Sequence, residues 1–134
     1  MTAPAEPMTP GERVLAIRKR LGLSLRSVAE LSGGAIGYGT VRSVERPDCN
    51  WAKVEIGTAQ ALARAYRLPL ATFLAVVLDG EALTAEAVRQ AEQHLDAERR
   101  RHEAHREALA VRLELARLHE RLDRLGLDAD GSQP

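Results

Sequence analysis

Hydrophobic residues recur at three- and four-residue spacing along most of the chain, which is the period of one face of an α-helix. Glycine and proline interrupt this pattern at Gly22, Gly33, Pro47 and Gly80. Neither residue type occurs between Thr84 and Gly126. The sequence therefore predicts an all-α fold with five short helices followed by one long helix.

The five short helices are predicted to enclose one core within residues 11–80. The first begins at Gly11, Ser24 caps the second with its side-chain oxygen, and Pro47 ends the third. The fourth is expected over residues 56–66, and the fifth runs from Leu68 to Gly80. The side chains expected to face inward are Val14, Leu15, Ile17, Arg18, Leu21, Leu25, Val28, Ala29, Ser32, Val41, Val44, Ile56, Ala59, Leu62, Ala63, Tyr66, Leu70, Phe73, Leu74 and Val77.

Residues 84–125 are predicted to form the long helix, with Thr84 as its N-cap. At about 1.5 Å per residue it would measure roughly 60 Å, too long to lie wholly inside so small a globule. Residues 1–10, which are rich in proline, are predicted to be a disordered lead-in, and residues 126–134 a disordered tail.

The long helix carries two hydrophobic stripes. Val88, Ala91, Leu95 and Leu109 form the first, which we expect to lie partly against the short helices. The second stripe alternates spacings of three and four, the a/d register of a coiled coil, and consists of Ala108, Val111, Leu115, Leu118, Leu122 and Leu125. The register changes within residues 98–107, so we predict that the last two heptads pair with a second chain. The alternative is that this helix folds back on its own domain.

Charge is unevenly distributed, although the formal net charge is zero. Residues 11–67 contain ten lysines and arginines against five acidic residues, whereas residues 68–134 contain nine arginines against thirteen acidic residues. A basic half joined to an acidic half favours a polyanionic partner for the basic half.

Cys49 is the only cysteine, so an intrachain disulfide and a disulfide-stapled secreted fold are excluded. No apolar run reaches the roughly 18 residues needed to span a bilayer. We expect a cytoplasmic protein with no membrane partner.

Two short helices joined by a glycine-containing turn, followed by a third run with small and cationic outward residues, outline a helix-turn-helix. The specific series is Arg18, Gly22, Leu23, Ser24, Val28, Ala29, Gly33, Thr40, Val41, Val44, Glu45, Arg46, Leu62, Ala63, Leu68, Phe73 and Leu74. This series resembles the phage repressor and Cro family, also called the xenobiotic-response-element family. The resemblance covers residues 11–78 and implies a five-helix, lambda-repressor-like DNA-binding domain.

The resemblance also implies roles for individual residues. Ala29 and Gly33 would lie at the tight crossing of the second and third helices, and Arg18 would pair with Glu45. Residues 37–46 would be the segment that reads DNA in the major groove. Base contacts would come from Tyr38, Gly39, Thr40, Arg42 and Ser43, and phosphate contacts from Ser24, Arg26, Arg46 and Lys53.

This chain also departs from the family pattern. The turn after Gly33 and the linker after Glu45 are longer than in most members, and Leu25 occupies a position that is frequently glutamine. Gly37 and Gly39 each cost a helix about 1 kcal/mol relative to alanine. The reading helix is therefore expected to start late, near Thr40, or to become ordered only on DNA.

Other residues have structural and functional interpretations. Trp51 is expected to anchor its loop by packing, with a DNA or partner contact as the alternative, and Cys49 could be a redox sensor. His102 and His105 follow Glu98 at helical spacing, an arrangement that suits either a metal or a solvated helix face. No histidine has the neighbours that nucleophilic catalysis requires, so we expect neither an enzyme nor a cofactor.

The sequence favours a nucleoid-associated transcriptional regulator of a bacterium or phage. It would be a homodimeric repressor that binds double-stranded DNA at an inverted repeat. Because no sensory domain is evident, a regulatory protein could supply the signal. The alternative is a protein-interaction adaptor or antitoxin-like protein that keeps the helix-turn-helix fold and acts through its long helix.

Overall fold

The computed structural model describes residues 7–126, and every regular element in that range is helical. This confirms the all-α prediction, including the long C-terminal helix. A short 3-10 helix at Trp51–Lys53 precedes the fourth α-helix. The α-helices are α1 (Pro10–Arg20), α2 (Leu25–Leu31), α3 (Tyr38–Val44), α4 (Ile56–Ala65), α5 (Leu70–Asp79) and α6 (Ala85–Arg124).

The first helix begins earlier than predicted because Thr9 and Glu12 form a capping box. The Thr9 hydroxyl accepts from the Glu12 amide at 3.3 Å, and the Thr9 amide donates to the Glu12 carboxylate at 3.1 Å. Pro10 occupies the first helical position, where its missing amide hydrogen has no intrahelical partner to lose. The predicted disordered lead-in therefore ends before Thr9, and its residues 1–6 lie outside the described range.

The chain divides into two compact units, Met1–Leu95 and Asp96–Pro134. In the first unit, α2 packs on α3 and α4, and α5 packs on α1 and α4. Phe73 lies at the centre of the core, with its ring centroid 6.1 Å from both Trp51 and Tyr66. Ile17, Leu62, Val14, Val28, Val41 and Val77 are the other large side chains that are fully buried.

The inward-facing prediction is wrong for Ile56, which is 62% exposed. Ile56 is the first residue of α4. Helical side chains lean back over the preceding turn, and the first residue has no preceding turn to cover. The apolar period was correct, but the helix boundary leaves Ile56 at the surface.

The start of α6 belongs to the first unit. Thr84 caps it, since its hydroxyl accepts from the Ala87 amide at 3.1 Å. Val88, Ala91 and Leu95 are buried, as the first stripe predicts, whereas Leu109 is 44% exposed. The first unit therefore includes the start of α6, up to Leu95.

The second unit, as far as it is described, is the remainder of α6 and its end. Residues 99–121 are all exposed. Ion pairs lie along this surface: Arg99 with Asp96 at 3.8 Å, Arg117 with Glu114 at 3.2 Å, and Arg124 with Glu120 at 3.7 Å. The predicted disordered tail is described only at Gly126, and its residues 127–134 lie outside the described range.

Among residues 7–126, no single helix has the length and apolar character to cross a membrane. The helices α4 and α5 would meet those criteria only if combined, and they are bent by 111° relative to each other.

Candidate nucleic-acid interface

The turn between α2 and α3 is organised by the hydroxyl of Ser32. Its O–H donates to the Ala29 carbonyl at 2.6 Å, and its oxygen accepts from the Ile36 amide at 3.3 Å. The Ile36 side chain is itself buried. These contacts join the last turn of α2 to Ile36, the residue before the N-cap of α3. From the sequence, Ser32 is expected only on the inner face of α2.

The tight helix crossing does not lie at Gly33. A Cβ added to Gly33 would have no heavy atom within 4 Å, and the residue has a left-handed backbone with φ +70°. The close approach occurs instead at Gly11, where a Cβ would lie 2.0 Å from the carbonyl oxygen of Arg46. Gly33 is therefore a turn glycine, and Gly11 lets α1 lie directly against the backbone that follows α3.

The third helix begins at Tyr38, so the predicted late start near Thr40 is wrong. Gly37 is its N-cap with extended backbone, φ −88° and ψ 167°. Gly39 lies within the helix, and a Cβ there would meet nothing within 4 Å. Packing on α2 accounts for helix formation despite glycine, because helical stability in proteins comes chiefly from the buried face.

One side of α3 is buried and the other faces solvent. Val41 is 0% exposed and Val44 is 5% exposed, which anchors the inner side. All five residues predicted to read bases are exposed: Tyr38, Gly39, Thr40, Arg42 and Ser43. Because residues three and four apart share a helix face, Tyr38 and Arg42 are neighbours on this surface, as are Gly39 and Ser43. Hydroxyl, guanidinium and open backbone are thus grouped on two turns of helix.

The end of α3 is held by an ion pair to α1 and by a hydrogen bond from the loop that follows. Glu45 accepts from Arg18 Nε at 2.7 Å and Nη2 at 3.0 Å, and the ion pair expected from the sequence is therefore present. The hydrogen bond to Glu45 raises the pKa of Arg18, and burial opposes that shift. Trp51 donates its indole N–H to the Val44 carbonyl at 3.0 Å. Its packing against Phe73 agrees with the expected role as a loop anchor.

Tyr66 lies close to this ion pair and has a fully buried hydroxyl for which the described residues provide no hydrogen-bond partner. Burial raises the pKa of Tyr66, the Glu45 carboxylate raises it further, and the Arg18 guanidinium lowers it. The phenol is consequently held in its neutral form. The sequence marked Tyr66 only as a core residue.

The predicted phosphate contacts are all at the surface, with different local partners. Ser24 caps α2 by accepting from the Ser27 amide at 3.0 Å. Arg26 and Lys53 are exposed and make no ion pair within residues 7–126. Arg46 pairs with Asp48 at 3.1 and 3.3 Å, a contact that sequence analysis missed. Both side chains are more than 60% exposed, so the pair contributes at most about 1 kcal/mol and leaves Arg46 able to exchange partners.

Several cations of the basic half hold helix ends. Arg13 donates to the Val77 carbonyl of α5 at 2.8 Å, and Arg20 donates to Leu83 at 3.3 Å. Arg67 donates to the Leu31 carbonyl at 3.4 Å and to the Arg64 carbonyl. These side chains add to the positive potential of the basic half, but their positions are fixed by the fold.

The remaining candidates have little support as chemical sites. Burial raises the pKa of the half-buried Cys49 thiol, Asp48 raises it further, and Arg46 lowers it. A raised thiol pKa disfavours the thiolate that redox chemistry requires. Within residues 7–126, no three His, Cys, Asp or Glu side chains are grouped so that they could hold a metal ion.

Comparisons with family models, with curated proteins and with solved structures give no match to this chain. The interpretation of the exposed face of α3 therefore depends on its own residues and on the contacts that hold it.

Proposed function

We propose that this protein is a sequence-specific DNA-binding transcriptional regulator, a dimeric repressor that reads an inverted repeat through α3. The observation that carries the proposal is the composition of the exposed face of α3. It combines Tyr38, Thr40, Arg42 and Ser43 on a helix whose inner side is buried. An α-helix of this width fits the major groove, where each base pair presents a distinct pattern of donors and acceptors.

The proposed chemistry assigns a different contact to each side chain. Arg42 would donate two hydrogen bonds to the N7 and O6 atoms of a guanine. Tyr38 would pack on a thymine methyl group or donate to a phosphate, and the Thr40 and Ser43 hydroxyls can bond to any base. Gly39, which has no side chain, would let the helix backbone approach the DNA closely.

Positioning is as important as chemistry, because base discrimination depends on well-aligned hydrogen bonds. The Arg18–Glu45 pair and the Trp51 indole hold the end of α3, and Ser32 orders the turn before it. Arg26, Arg46 and Lys53 would bind phosphates and set the orientation of the helix, without reading sequence.

Dimerisation would use the second stripe of α6. Val111, Leu115, Leu118 and Leu125 are 58%, 50%, 49% and 73% exposed, and Leu122 is half-buried. Apolar side chains in a/d register on a solvated helix favour pairing with another helix. A dimer would read two half-sites and gain the specificity that one short reading helix lacks.

The same stripe supports a second candidate function, a protein-interaction adaptor or antitoxin-like protein that acts through α6. In that case the stripe would bind a different protein and the face of α3 would have no base preference. The two functions differ in what α3 does, so DNA selection separates them.

The test is selection of binding sites from random-sequence duplexes by the purified chain at low salt. The proposal predicts enrichment of an inverted repeat and loss of that enrichment in the double variant Arg42→Ala/Ser43→Ala. Arg106→Ala, which removes an exposed arginine from α6, should enrich the same motif as the unmodified chain. Recovery of no motif at all would reject DNA reading and favour the adaptor.

A further inference from the structure

We infer that the second stripe of α6 pairs with a second copy of the chain in parallel and in register, with Glu107 of one copy beside Arg112 of the other. This inference deepens the proposed function and, for its biological meaning, rests on it. The pairing itself can be tested without DNA.

The stripe defines the register. Ala108, Leu115 and Leu122 occupy a positions, and Val111, Leu118 and Leu125 occupy d positions. In that register Glu107 is at g and Arg112 is at the following e. Both positions flank the apolar seam, where side chains of a partner helix can reach them.

Three charged residues that flank the seam, Glu107, Arg112 and Arg121, have no oppositely charged neighbour at three or four residues along the helix. Elsewhere on α6, Glu114 pairs with Arg117 and Glu120 pairs with Arg124 along the helix surface. The neighbours of Glu107 at those spacings are Glu103, Ala104, Ala110 and Val111. Those of Arg112 are Ala108, Leu109, Leu115 and Ala116. Those of Arg121 are Arg117, Leu118, Arg124 and Leu125. Glu107, Arg112 and Arg121 are therefore left for an interhelical contact.

The direction of pairing follows from which charges meet. In a parallel pair each g residue faces the e residue of the next heptad, which joins Glu107 to Arg112 and Glu114 to His119. In an antiparallel pair with a residues opposite d residues, g faces g and e faces e. Glu114, which already pairs with Arg117 on its own helix, would then meet Arg121, and neither Glu107 nor Arg112 would meet an opposite charge. Only the parallel arrangement gives both Glu107 and Arg112 an oppositely charged partner, and symmetry forms that contact twice.

Parallel pairing also suits an inverted repeat. In each copy the first unit precedes the stripe in the chain, so both first units enter a parallel pair from the same end. An antiparallel pair would bring them in from opposite ends. Parallel pairing is therefore the direction that suits an operator with two half-sites.

Disulfide trapping tests the direction. In a Cys49→Ala background, Val111→Cys faces its own counterpart in the parallel pair, so oxidation should cross-link the dimer without DNA. In the antiparallel pair Val111 lies opposite Leu122, and the two copies of residue 111 are separated by about 16 Å along the axis, far beyond disulfide reach. Arg117→Cys, at an outward c position, is the control and should not cross-link. Cross-linking only in a mixture of Val111→Cys and Leu122→Cys chains would overturn the inference, as would a monomeric or trimeric mass.

A charge exchange tests the predicted contact. Glu107→Arg should raise the dissociation constant of the dimer about fivefold or more, because like charges replace two attractive contacts per dimer. Adding Arg112→Glu should return the dissociation constant to within about twofold of that of the unmodified chain. In the double variant the two charges are exchanged, so they attract again. Glu103→Arg makes the same charge change at an exposed position before the stripe and should have less than about a twofold effect. If Glu107→Arg has no larger effect than Glu103→Arg, the predicted contact is wrong. These outcomes do not depend on DNA binding, so they are separable from failure of the proposed function.

Discussion

Arg18 and Glu45 form a two-point ion pair, with N···O distances of 2.7 and 3.0 Å, that joins the last turn of α1 to the C-cap residue of α3. Arg18 also donates to the Leu23 carbonyl at 3.0 Å. One guanidinium thus fixes the turn before α2 and the end of the proposed reading helix. A paired charge with little solvent contact contributes more to geometry than to net stability.

Replacing one member of this pair should lower the free energy of unfolding more than replacing both. Glu45→Gln is expected to lower the free energy of unfolding by about 2–3 kcal/mol, because the Arg18 guanidinium is only 14% exposed and loses its counter-charge. Arg18→Met/Glu45→Leu should recover most of that loss. Urea unfolding followed by circular dichroism measures both. A double variant less stable than Glu45→Gln would show that the pair itself supplies the stability.

Gly11→Ala should destabilise the first unit by about 1–3 kcal/mol, because the new methyl group would collide with backbone. The obstacle is the Arg46 carbonyl oxygen, 2.0 Å from the added Cβ, and it cannot turn away as a flexible side chain could. Gly57→Ala is the matched control within α4, where an added Cβ meets nothing within 4 Å. Gly57→Ala should raise the free energy of unfolding by about 0.5–1 kcal/mol. Equal effects of the two changes on thermal unfolding would refute the close approach.

These two glycines illustrate what local pattern can predict. Helix boundaries follow from residues near in sequence, and Ser24, Gly80 and Thr84 were recognised because each cap is completed within one turn. The role of Gly11 depends on Arg46, thirty-five positions away, and nothing near Gly11 in the sequence reveals it. The signal for the start of α1 was present in Thr9 and Glu12 as a capping box.

Tyr66→Phe should reduce the loss of folding stability at alkaline pH. Because burial raises the pKa of Tyr66, the unfolded chain loses the phenol proton above about pH 10 while the folded chain keeps it. The contribution of Tyr66 is therefore complete below that pH and declines as pH rises, by up to about 1.4 kcal/mol per pH unit. Urea unfolding at pH 8 and at pH 10.5–11 should show a smaller decline in the variant. At pH 8 the variant should match or exceed the parent, since the lost hydroxyl has no partner among the described residues. Identical pH slopes would contradict this.

Gly39→Ala should separate stability from DNA affinity. Gly39 is the second residue of α3 and has open space around it, so alanine should raise the free energy of unfolding by about 0.5–1 kcal/mol. If α3 faces the bases, the same methyl group takes up space at the DNA surface, and affinity for the selected site should fall. Thermal unfolding and fluorescence anisotropy measure the two effects. Increased stability with unchanged affinity would remove Gly39 from the proposed contact surface.

The candidate interface was predictable in part for a physical reason. The period of Val41 and Val44 determines which side of α3 is buried, and the outward residues follow from it. Partners of long side chains are less predictable, since charge counting gives no indication that Arg13 bonds to Val77 or that Arg46 pairs with Asp48. The inward-facing prediction for Ile56 was wrong for another reason. The spacing of apolar residues does not reveal that a helix begins at that residue.

The most direct measurement compares Arg42→Ala with Lys53→Ala on a selected site and on a scrambled duplex across a salt series. Arg42 is proposed to read a base and Lys53 to bind a phosphate. We predict that Arg42→Ala weakens the binding free energy for the selected site by about 1–3 kcal/mol and changes it little for the scrambled duplex. Lys53→Ala should weaken binding to both duplexes equally. It should also reduce the slope of log affinity against log salt concentration by about one. If Arg42→Ala weakened both duplexes to the same extent, or neither, α3 would not be the element that reads sequence.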